Sequence, residues 1–458
     1  MPVELVSSPS ETSRPIQLVE KGGLDRLGLS PAHAAWAAAQ EFSGEAGRLL
    51  LLPNAEGGVA GALFGLGDGD EAQGLAAGAL ARLLPKGDWH FSAPPENPEL
   101  SALALLLGGY AFTRYGKKPT PSIRLAAPEG ADAERIGRIA RGAFLARDLI
   151  NTPTNDMGPD ALEQAARELA GRHGAEVSVT SGDALIDANL PMIHAVGRAS
   201  ATAPRLIDFS WGAADTPKVT LVGKGVCFDT GGLDIKPAAS MLLMKKDMGG
   251  AANVLGLASM LMEARLPVRL RVLIPAVENS ISASAFRPSD VLRSRKGISV
   301  EIGNTDAEGR LILADALALA DEEAPELLLD MATLTGAARV ALGPDLPPLF
   351  TPDDGFADEL LAAAGVVEDQ LWRLPLWKPY AKKLSSKVAD TNNVTTDGFA
   401  GAITAALFLQ KFVEKARVWA HFDIFGWSAT DKPTATIGGE AQGIRALEHL
   451  LSRRFPAR

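Results

Sequence analysis

The sequence predicts an α/β protein with a small N-terminal α/β domain and a larger domain built on a mainly parallel sheet flanked by helices. After residue 150, apolar runs typical of strands alternate with segments of helical periodicity. That alternation favours a parallel sheet with helices on both faces. The chain has 458 residues, of which 47% are hydrophobic, so two or three domains with sizeable cores are expected.

The first predicted domain, residues 1–130, consists of short apolar runs and alanine-rich helices. Strands are predicted at 48–53 and 122–128, and helices at 74–85 and 100–116. The stretch KKPTPS, 117–122, predicts a break between the last helix and the last strand. Apolar residues at helical spacing over 133–151 predict a helix that links this domain to the second domain, 131–458, so that 131–151 is the linking segment.

The second domain contains the alternating pattern. Its strands are predicted at 218–228, 268–277, 298–303, 326–334 and 417–425, with helices at 249–264 and 310–324 among them. Ligands of such sheets bind at the carboxyl ends of the strands. Two charged clusters follow strands 218–228 and 298–303, so we expect both clusters at that edge of the sheet.

Charge and cysteine content restrict the possible functions. The net charge of −10 gives no general affinity for nucleic acid or anionic membranes. A single cysteine, Cys227, excludes an intramolecular disulfide and CxxC chemistry and suits a reducing cytoplasm. We expect no secretory signal in MPVELVSSPSETSRP and no membrane span, because no run approaches about 18 apolar residues.

The first charged cluster lies in NTDAEGRL, 304–311, where Asp306, Glu308 and Arg310 fall within five positions. These acids could simply stabilise the N-terminus of the apolar helix that follows. The second cluster, 222–252, also allows simple structural explanations for its charges. Lys224 could extend to the surface, and Asp247 could cap the next helix.

A functional interpretation joins the two clusters, because four carboxylates would then share one crevice: Asp229, Asp247, Asp306 and Glu308. Such a group must raise its pKa values or bind cations. Oxygen ligands suit Mg²⁺ or Mn²⁺ and also bind Zn²⁺. Four carboxylates can hold two divalent ions about 3.5–4 Å apart, an arrangement that activates a bridging water for hydrolysis.

Other catalytic chemistries have weaker support. None of the six histidines lies in either cluster, so a metal site here would be rich in carboxylates. The sequence has no GxSxG motif, and VGKGVCFDTGG lacks the spacing of a phosphate-binding loop. Cys227 has no histidine close in sequence, which disfavours it as a nucleophile.

Both clusters resemble signature motifs of the leucyl aminopeptidase family, the cytosol aminopeptidases, which are dinuclear metallo-exopeptidases. NTDAEGRL (304–311) is similar to one motif, and VGKGVCFDTGGLDIKP (222–237) with MKKDMGGAA (244–252) is similar to the other. The resemblance covers roughly residues 145–450 and is weak over 1–130. It implies removal of the N-terminal residue of peptides, apolar and leucine-like, by a bridging hydroxide between two divalent metals.

The resemblance also implies the metal ligands. The tighter site corresponds to Lys224, Asp229, Asp247 and Glu308, and the looser site to Asp229, Asp306 and Glu308. The ions would be Mn²⁺ or Zn²⁺. Lysine ligates a metal only when neutral, so Lys224 would have to lose its proton, which a desolvated lysine does readily.

Two further residues correspond to catalytic groups that do not bind metal. Lys236 would stabilise the oxyanion, and Arg310 would hold a bicarbonate ion that acts as general base. The resemblance also predicts a lining for the pocket of the first side chain, formed by Met244, Asn304, Thr333, Leu334 and Gly336.

The chain departs from the family pattern near this pocket. Many members have a GxTGxxVR-like run, whereas this chain has GGEAQGIR, 438–445. Phe425 and Trp427 add bulk where small residues are more usual, and Lys246 stands where an aromatic or aliphatic residue is frequent. The GGEAQGIR segment, Phe425 and Trp427 argue against a strict preference for leucine, whereas the replacement at Lys246 indicates no particular preference.

Three functional classes are compatible with these motifs. The first is an active aminopeptidase on peptides with a free N-terminus, which the resemblance implies to be a cytoplasmic homohexamer. The second is a dinuclear hydrolase of another bond, such as that of Cys-Gly dipeptides or phosphoesters. The third is a non-catalytic DNA-binding or regulatory relative. The acidic charge and the absence of a basic cluster in 1–130 argue against nucleic acid.

Overall fold

The structure is a computed structural model that describes residues 3–68, 73–116 and 122–456. The described chain forms two compact units. One comprises the chain up to Phe144 together with Thr430–Ile437, and the other comprises Leu145–Ala429 and the chain from Gly438 onward. The predicted two-domain α/β class is confirmed. The division falls inside helix Ala133–Asn151, the helix that we predicted to link the domains.

The first unit is built on a six-stranded sheet. Its elements are β1 (Val3–Val6), β2 (Arg14–Glu20), α1 (Pro31–Ala39), β3 (Leu49–Pro53), β4 (Val59–Gly67), α2 (Gln73–Ala76), α3 (Leu80–Leu83), β5 (Gly87–Phe91), α4 (Pro98–Gly108) and β6 (Ile123–Ala126). The strands lie in the order β1-β6-β5-β2-β4-β3. All neighbours are parallel except β3 and β4.

Two predictions in this unit need correction. The helix predicted to reach residue 116 ends at Gly108, where two consecutive glycines weaken the helix. The helix predicted over 74–85 is interrupted by a 3₁₀ turn at Ala77–Ala79. The predicted break at 117–122 lies, apart from its last residue, outside the described residues.

The second unit begins within the linking helix and contains the larger sheet. Its helices are α5 (Ala133–Asn151), α6 (Pro159–Arg172), α7 (Ala184–Asp187), α8 (Pro191–Gly197), α9 (Ala238–Met241), α10 (Gly249–Glu263), α11 (Gly309–Asp321), α12 (Gly336–Leu342), α13 (Asp354–Val366), α14 (Gly401–Gln410) and α15 (Ile444–Arg454). Its longer strands are β7 (Glu176–Ser181), β8 (Arg205–Trp211), β9 (Lys218–Gly223), β10 (Gly225–Asp229), β11 (Arg269–Asn279), β14 (Leu327–Ala332) and β18 (Val418–Asp423). Its short strands are β12 (Val291–Arg293), β13 (Ser299–Glu301), β15 (Pro348–Phe350), β16 (Trp372–Arg373), β17 (Thr391–Asn392), β19 (Trp427–Ser428) and β20 (Gly438–Gly439).

The central sheet has the order β16-β15-β18-β14-β9-β11-β8-β7, and β10 also pairs with β11. Its middle strands are parallel, whereas β8 and β7 on one side and β15 on the other join it through antiparallel pairs. Along β14, Leu328 and Ala332 pack into the core that contains α8, α11 and α14. The alternate residues, such as Leu329, are also fully buried, as expected for a strand covered on both faces.

The strand predicted over 218–228 is divided in two at Lys224. The strand predicted at 298–303 does not belong to the central sheet, so that expectation was wrong. Its residues Ser299–Glu301 pair instead with β12 and β17 in a separate three-stranded sheet. The first charged cluster, 304–311, therefore reaches the edge of the central sheet through the loop after β13 and not from a strand of that sheet.

Helix α11 is held rigidly behind that loop. The buried carboxylate of Asp315 accepts hydrogen bonds from the backbone N–H groups of Met192 and Ile193 in α8 and of Arg295. Burial outweighs these bonds and raises the pKa of Asp315 to about 7. These contacts anchor the helix that carries Arg310. Within the described ranges, no helix has both the length and the apolar character needed to cross a membrane.

Candidate active site

Lys224 lies at the break between β9 and β10. Its backbone N–H donates to the carbonyl of Met331, and its own carbonyl accepts from Ala251. The side chain is 3% exposed, which excludes the surface position considered above. Its Nζ lies 2.7 Å from Oδ2 of Asp247 and 3.0 Å from Oε1 of Glu308.

Other backbone atoms lie close to the side chain of Lys224. Lys224 Nζ also donates to the carbonyl of Thr333. A Cβ added at Gly309 would lie 2.5 Å from Lys224 Cε. The glycine of the DAEGR sequence is therefore required by the close approach of the lysine stem.

Asp229 ends β10 and begins the loop that carries Lys236. Its Oδ1 accepts from the backbone N–H of Gly231 and from Nδ2 of Asn279. Its Oδ2 lies 2.7 Å from Lys236 Nζ, which is also 2.5 Å from Oδ1 of Asp306. Lys236 thus joins carboxylates from the two charged clusters, and the structure brings the clusters together.

Glu308 directly precedes α11, yet its side chain makes no capping hydrogen bond. Stabilisation of the helix N-terminus by capping therefore does not account for this carboxylate. Its Oε2 is buried and has no hydrogen-bond partner among the described residues. Such an orphaned acceptor is rare in a native protein and indicates a missing partner.

Three carboxylates can share one cation. Asp229, Asp306 and Glu308 each offer an oxygen, and these oxygens lie within 4.8 Å of one another. Lys224 contacts Glu308 of this group, and Asp247 in turn contacts Lys224. Clustered carboxylate oxygens are typical ligands of hard divalent ions, so the residues present fit a metal.

The electrostatics agree with a cation site. Burial, with repulsion from Asp229, raises the pKa of Glu308 to about 8 and that of Asp306 to about 6. Burial alone would lower the pKa of Lys224, but the carboxylates of Asp247, Glu308 and Asp229 outweigh it and raise that pKa. The cluster therefore needs positive charge to remain ionised, which divalent ions would supply.

Arg310 occupies the first turn of α11 and is almost fully buried. Its Nη1 donates to the carbonyl of Asn393, and its Nε has no partner within the described chain. Burial lowers its pKa to about 10, so the guanidinium stays charged at neutral pH. It is a buried cation with donor capacity to spare, which is a suitable site for a small anion.

A cavity of about 540 Å³ opens over the cluster. Its wall includes the predicted site residues Lys224, Asp229, Lys236, Asp247, Asp306 and Arg310, and the predicted pocket residues Met244, Asn304, Thr333, Leu334 and Gly336. Glu308 is buried and is not part of that wall. All twelve positions singled out in the sequence therefore converge on one region.

Several supporting residues were missed in the sequence analysis. Asn279 donates to Asp229 and to the carbonyl of Thr305, and Thr305 also bonds with Asp234. These contacts fasten one charged loop to the other. The position of Asn279 at the carboxyl end of β11 was the available signal, but an uncharged side chain there did not draw attention.

Asp423 is a second supporting residue that was missed. It ends β18, is buried, and accepts hydrogen bonds from the backbone N–H groups of Leu334 and Thr335 and from Thr335 Oγ1. The interaction fixes the backbone of Leu334 in the cavity wall. The sequence feature that could have identified Asp423 was again its position as a polar residue at the carboxyl end of a central strand.

Comparisons with known protein families match both parts of the chain. Residues 144–448 match the model of the cytosol aminopeptidase family, catalytic domain. Residues 14–128 match the model of the M17 aminopeptidase N-terminal domain. The matches therefore extend into the N-terminal region, where the sequence motifs gave only a weak resemblance.

Individual relatives are similar along most of their length. A probable cytosol aminopeptidase of Roseiflexus castenholzii is 42% identical over 84% of this chain and 85% of its own. One from Syntrophotalea carbinolica is 40% identical over 90% of both chains. The crystal structure of the cytosol aminopeptidase from Coxiella burnetii has a TM-score of 0.94 and 45% identity, covering 98% of this chain and 99% of that one.

A further solved structure was obtained with a metal. The bottromycin maturation enzyme BotP in complex with Mn has a TM-score of 0.88 and 33% identity, covering 97% of this chain and all of that one.

Proposed function

The chain belongs to the cytosol aminopeptidase family and is a metal-dependent aminopeptidase, and from this premise we propose that it removes single N-terminal residues from peptides at the cluster around Glu308. The family resemblance carried by the two sequence motifs is thereby confirmed. The observation that carries the proposal is the approach of the Asp229, Asp306 and Glu308 oxygens to within 4.8 Å. We assign residues 131–458 to the catalytic domain.

We propose that five residues would hold two divalent ions. Lys224, Asp229, Asp247 and Glu308 would form the tighter site, and Asp229, Asp306 and Glu308 the looser one, so that Asp229 and Glu308 are shared. Manganese and zinc are the candidates, and the Mn complex of BotP favours manganese. When bound, two such ions supply the activation of a bridging water and the polarisation of the peptide carbonyl.

Metal binding requires a change of protonation at Lys224. Its amine can ligate only without its proton, while the surrounding carboxylates keep that proton in place in the metal-free arrangement. Divalent charge beside the amine would reverse this balance, because metal binding competes with protons for the same lone pair. Loading of the site should therefore release protons.

Lys236 would act on the carbonyl oxygen of the substrate. Burial alone would lower the pKa of Lys236, but the carboxylates of Asp229 and Asp306 raise it. The side chain is therefore an ammonium group at neutral pH. It is fixed by two short contacts at the cluster and can donate a hydrogen bond to the oxyanion as negative charge develops there.

Arg310 would hold the bicarbonate ion that serves as general base. Its planar guanidinium is anchored to the Asn393 carbonyl through Nη1, which leaves further donors for a bicarbonate ion. Bidentate binding of such a planar anion is the geometry that guanidinium groups favour. When bound there, bicarbonate would supply a general base for the attacking water, and the role of Arg310 would be to hold and orient it.

The cavity wall suits a first side chain of leucine size with an apolar stem. Met244 and Leu334 contribute apolar surface, and Ile424 adds to it. Gly336 leaves room, since no atom lies within 4 Å of a Cβ added there. We therefore propose leucine-like side chains as the starting class of substrates.

The test is hydrolysis of aminoacyl-amide substrates by chelator-stripped protein resupplied with Mn²⁺ or Zn²⁺. We expect activity to vanish on stripping, to return with metal, and to require a free α-amine. The N-acetylated form of each substrate is the matched control. Equal cleavage of acetylated substrates would contradict the exopeptidase assignment, and preference for Cys-Gly dipeptides or phosphoesters would reassign the substrate.

We further propose a homohexamer in the cytoplasm. The family membership supports the assembly, and the single cysteine, which is unpaired and buried, suits a reducing compartment. Light scattering should give a mass of six chains of 47.9 kDa each. A monomeric mass would contradict the assembly.

A further inference from the structure

Lys246 is a buried cation in the wall of the cavity above the metal cluster. The residue is 6% exposed, yet it lines that cavity. Among the described residues, its ammonium group forms neither a hydrogen bond nor a salt bridge. Because no described protein group accepts a hydrogen bond from this ammonium, its donors are available to a ligand that enters the cavity.

The carboxylates closest to Lys246 are engaged elsewhere. Asp247 pairs with Lys224 and accepts a hydrogen bond from Thr333. Asp423 is held by the backbone N–H groups of Leu334 and the following residue. Both acids attract Lys246 at longer range, but neither satisfies its donors.

An aromatic ring lies against the ammonium group of Lys246. Lys246 Nζ lies 4.7 Å from the ring centroid of Phe425, and the Arg339 guanidinium lies 5.3 Å from the same ring. Gln442 Oε1 accepts the backbone N–H groups of Phe425 and Gly426. Gln442 belongs to GGEAQGIR, so this segment fixes the ring against which Lys246 rests.

The cavity wall therefore carries two positive charges, Lys246 and Arg339, that have no role in the proposed metal sites or in catalysis. Arg339 is exposed but also lines the cavity, and it forms no salt bridge within the described part of the chain. An apolar surface lies beside them, formed by Met244 and Leu334. This combination suits a side chain with an apolar stem and a negatively charged end.

We infer that Lys246, with Arg339, selects peptides whose first residue is acidic, glutamate above all. The inference rests on the proposed function, in which this cavity receives the first side chain. The side chains of glutamate and leucine both extend over three carbons, from Cβ to Cδ. The two methylene groups of glutamate would therefore contact Met244 and Leu334. Its carboxylate would pair with the Lys246 ammonium, a charge-assisted hydrogen bond that is strong where water is excluded.

The first test compares glutamate with its neutral isostere in the metal-loaded wild-type enzyme. Glutamyl, glutaminyl and leucyl p-nitroanilides are assayed side by side for kcat/KM. We expect kcat/KM for the glutamyl substrate to exceed that for the glutaminyl substrate by about tenfold or more, the usual effect of one hydrogen bond to a charged group.

The outcomes separate the two proposals. Cleavage of the leucyl substrate with glutamate no better than glutamine would overturn the inference and leave the proposed function standing. Inactivity on every substrate, with metal bound, would overturn both.

Variants assign the preference to one side chain. In Lys246→Met, we expect the glutamate-to-glutamine ratio of kcat/KM to fall several-fold towards one, because only Arg339 remains. In Lys246→Arg, we expect the ratio to stay close to that of wild type because the charge is kept. Lys245→Met is the matched control. Lys245 donates to the Asn151 carbonyl and lies over Trp427, outside the cavity wall, so this variant should keep the wild-type ratio.

A wild-type ratio in Lys246→Met would overturn the inference. Should Lys246→Met fail to fold, the wild-type comparison and Lys246→Arg still decide it. A ratio near one in Lys246→Arg, with leucine still cleaved, would also count against it.

Discussion

Glu308→Ala is expected to lower kcat/KM by about a thousandfold or more, the size of effect seen when one member of a catalytic unit is removed. Glu308 contacts Lys224, and one of its oxygens lies within 4.8 Å of an oxygen of Asp229 and one of Asp306. Without it, neither proposed metal site keeps its full ligand set. The activity should remain low even with excess Mn²⁺.

The same substitution should leave the fold intact. Burial already disfavours the ionised form of Glu308, as its raised pKa indicates, and Lys224 keeps its contact with Asp247. Thermal unfolding of the metal-free variant should therefore resemble that of metal-free wild type. Glu322→Ala, a half-exposed glutamate at the other end of α11, is the matched control and should keep full activity. Turnover by metal-replete Glu308→Ala within a few-fold of wild type would refute the ligand assignment.

Lys236→Met is expected to lower kcat by roughly 10²–10³, the usual effect of losing one donor to a developing oxyanion. Lys236 is not a proposed ligand, so the variant should still bind two ions per chain. Its loss also removes the cation between Asp229 and Asp306, but bound metals would neutralise these carboxylates. The effect should therefore appear mainly in kcat and less in KM.

Separate determination of kcat, KM and metal content checks this prediction. Lys218→Met is the control, because Lys218 lies at the start of β9 and its ammonium group donates, among the described residues, only to the Glu323 carbonyl. Loss of metal from Lys236→Met would mean that Lys236 supports the site and does not act on the substrate. An unchanged kcat would remove the oxyanion role altogether.

The sequence predicted the residue types of the site better than its geometry. The motif around Asp306 and Glu308 predicted a cation site, because crowded carboxylates must either bind cations or have raised pKa values. The division of strand 218–228 at Lys224 could not be predicted, because VGKGVCF has the apolar pattern of one strand. The break depends on backbone hydrogen bonds to Met331 and Ala251, which are distant in sequence.

Two other features required the folded chain. The apolar run at 298–303 predicted a strand correctly, but a short run does not specify the sheet it joins. Lys246 was evident as a departure from the family pattern, whereas its burial against Phe425 depends on Gln442. Interactions over such separations are not specified by the local sequence, so the positions of Asn279 and Asp423 at strand ends were not enough to identify them.

The most direct test of the central claim is the metal content of the active protein. Chelator-stripped wild type and Glu308→Ala are titrated with Mn²⁺, and bound metal is counted by mass spectrometry while hydrolysis of a leucyl amide is followed. We expect activity of wild type to reach its maximum at two ions per chain, and Glu308→Ala to bind fewer than two and remain inactive. Full activity of stripped wild type, or full activity with a single ion bound, would contradict a dinuclear site at this cluster.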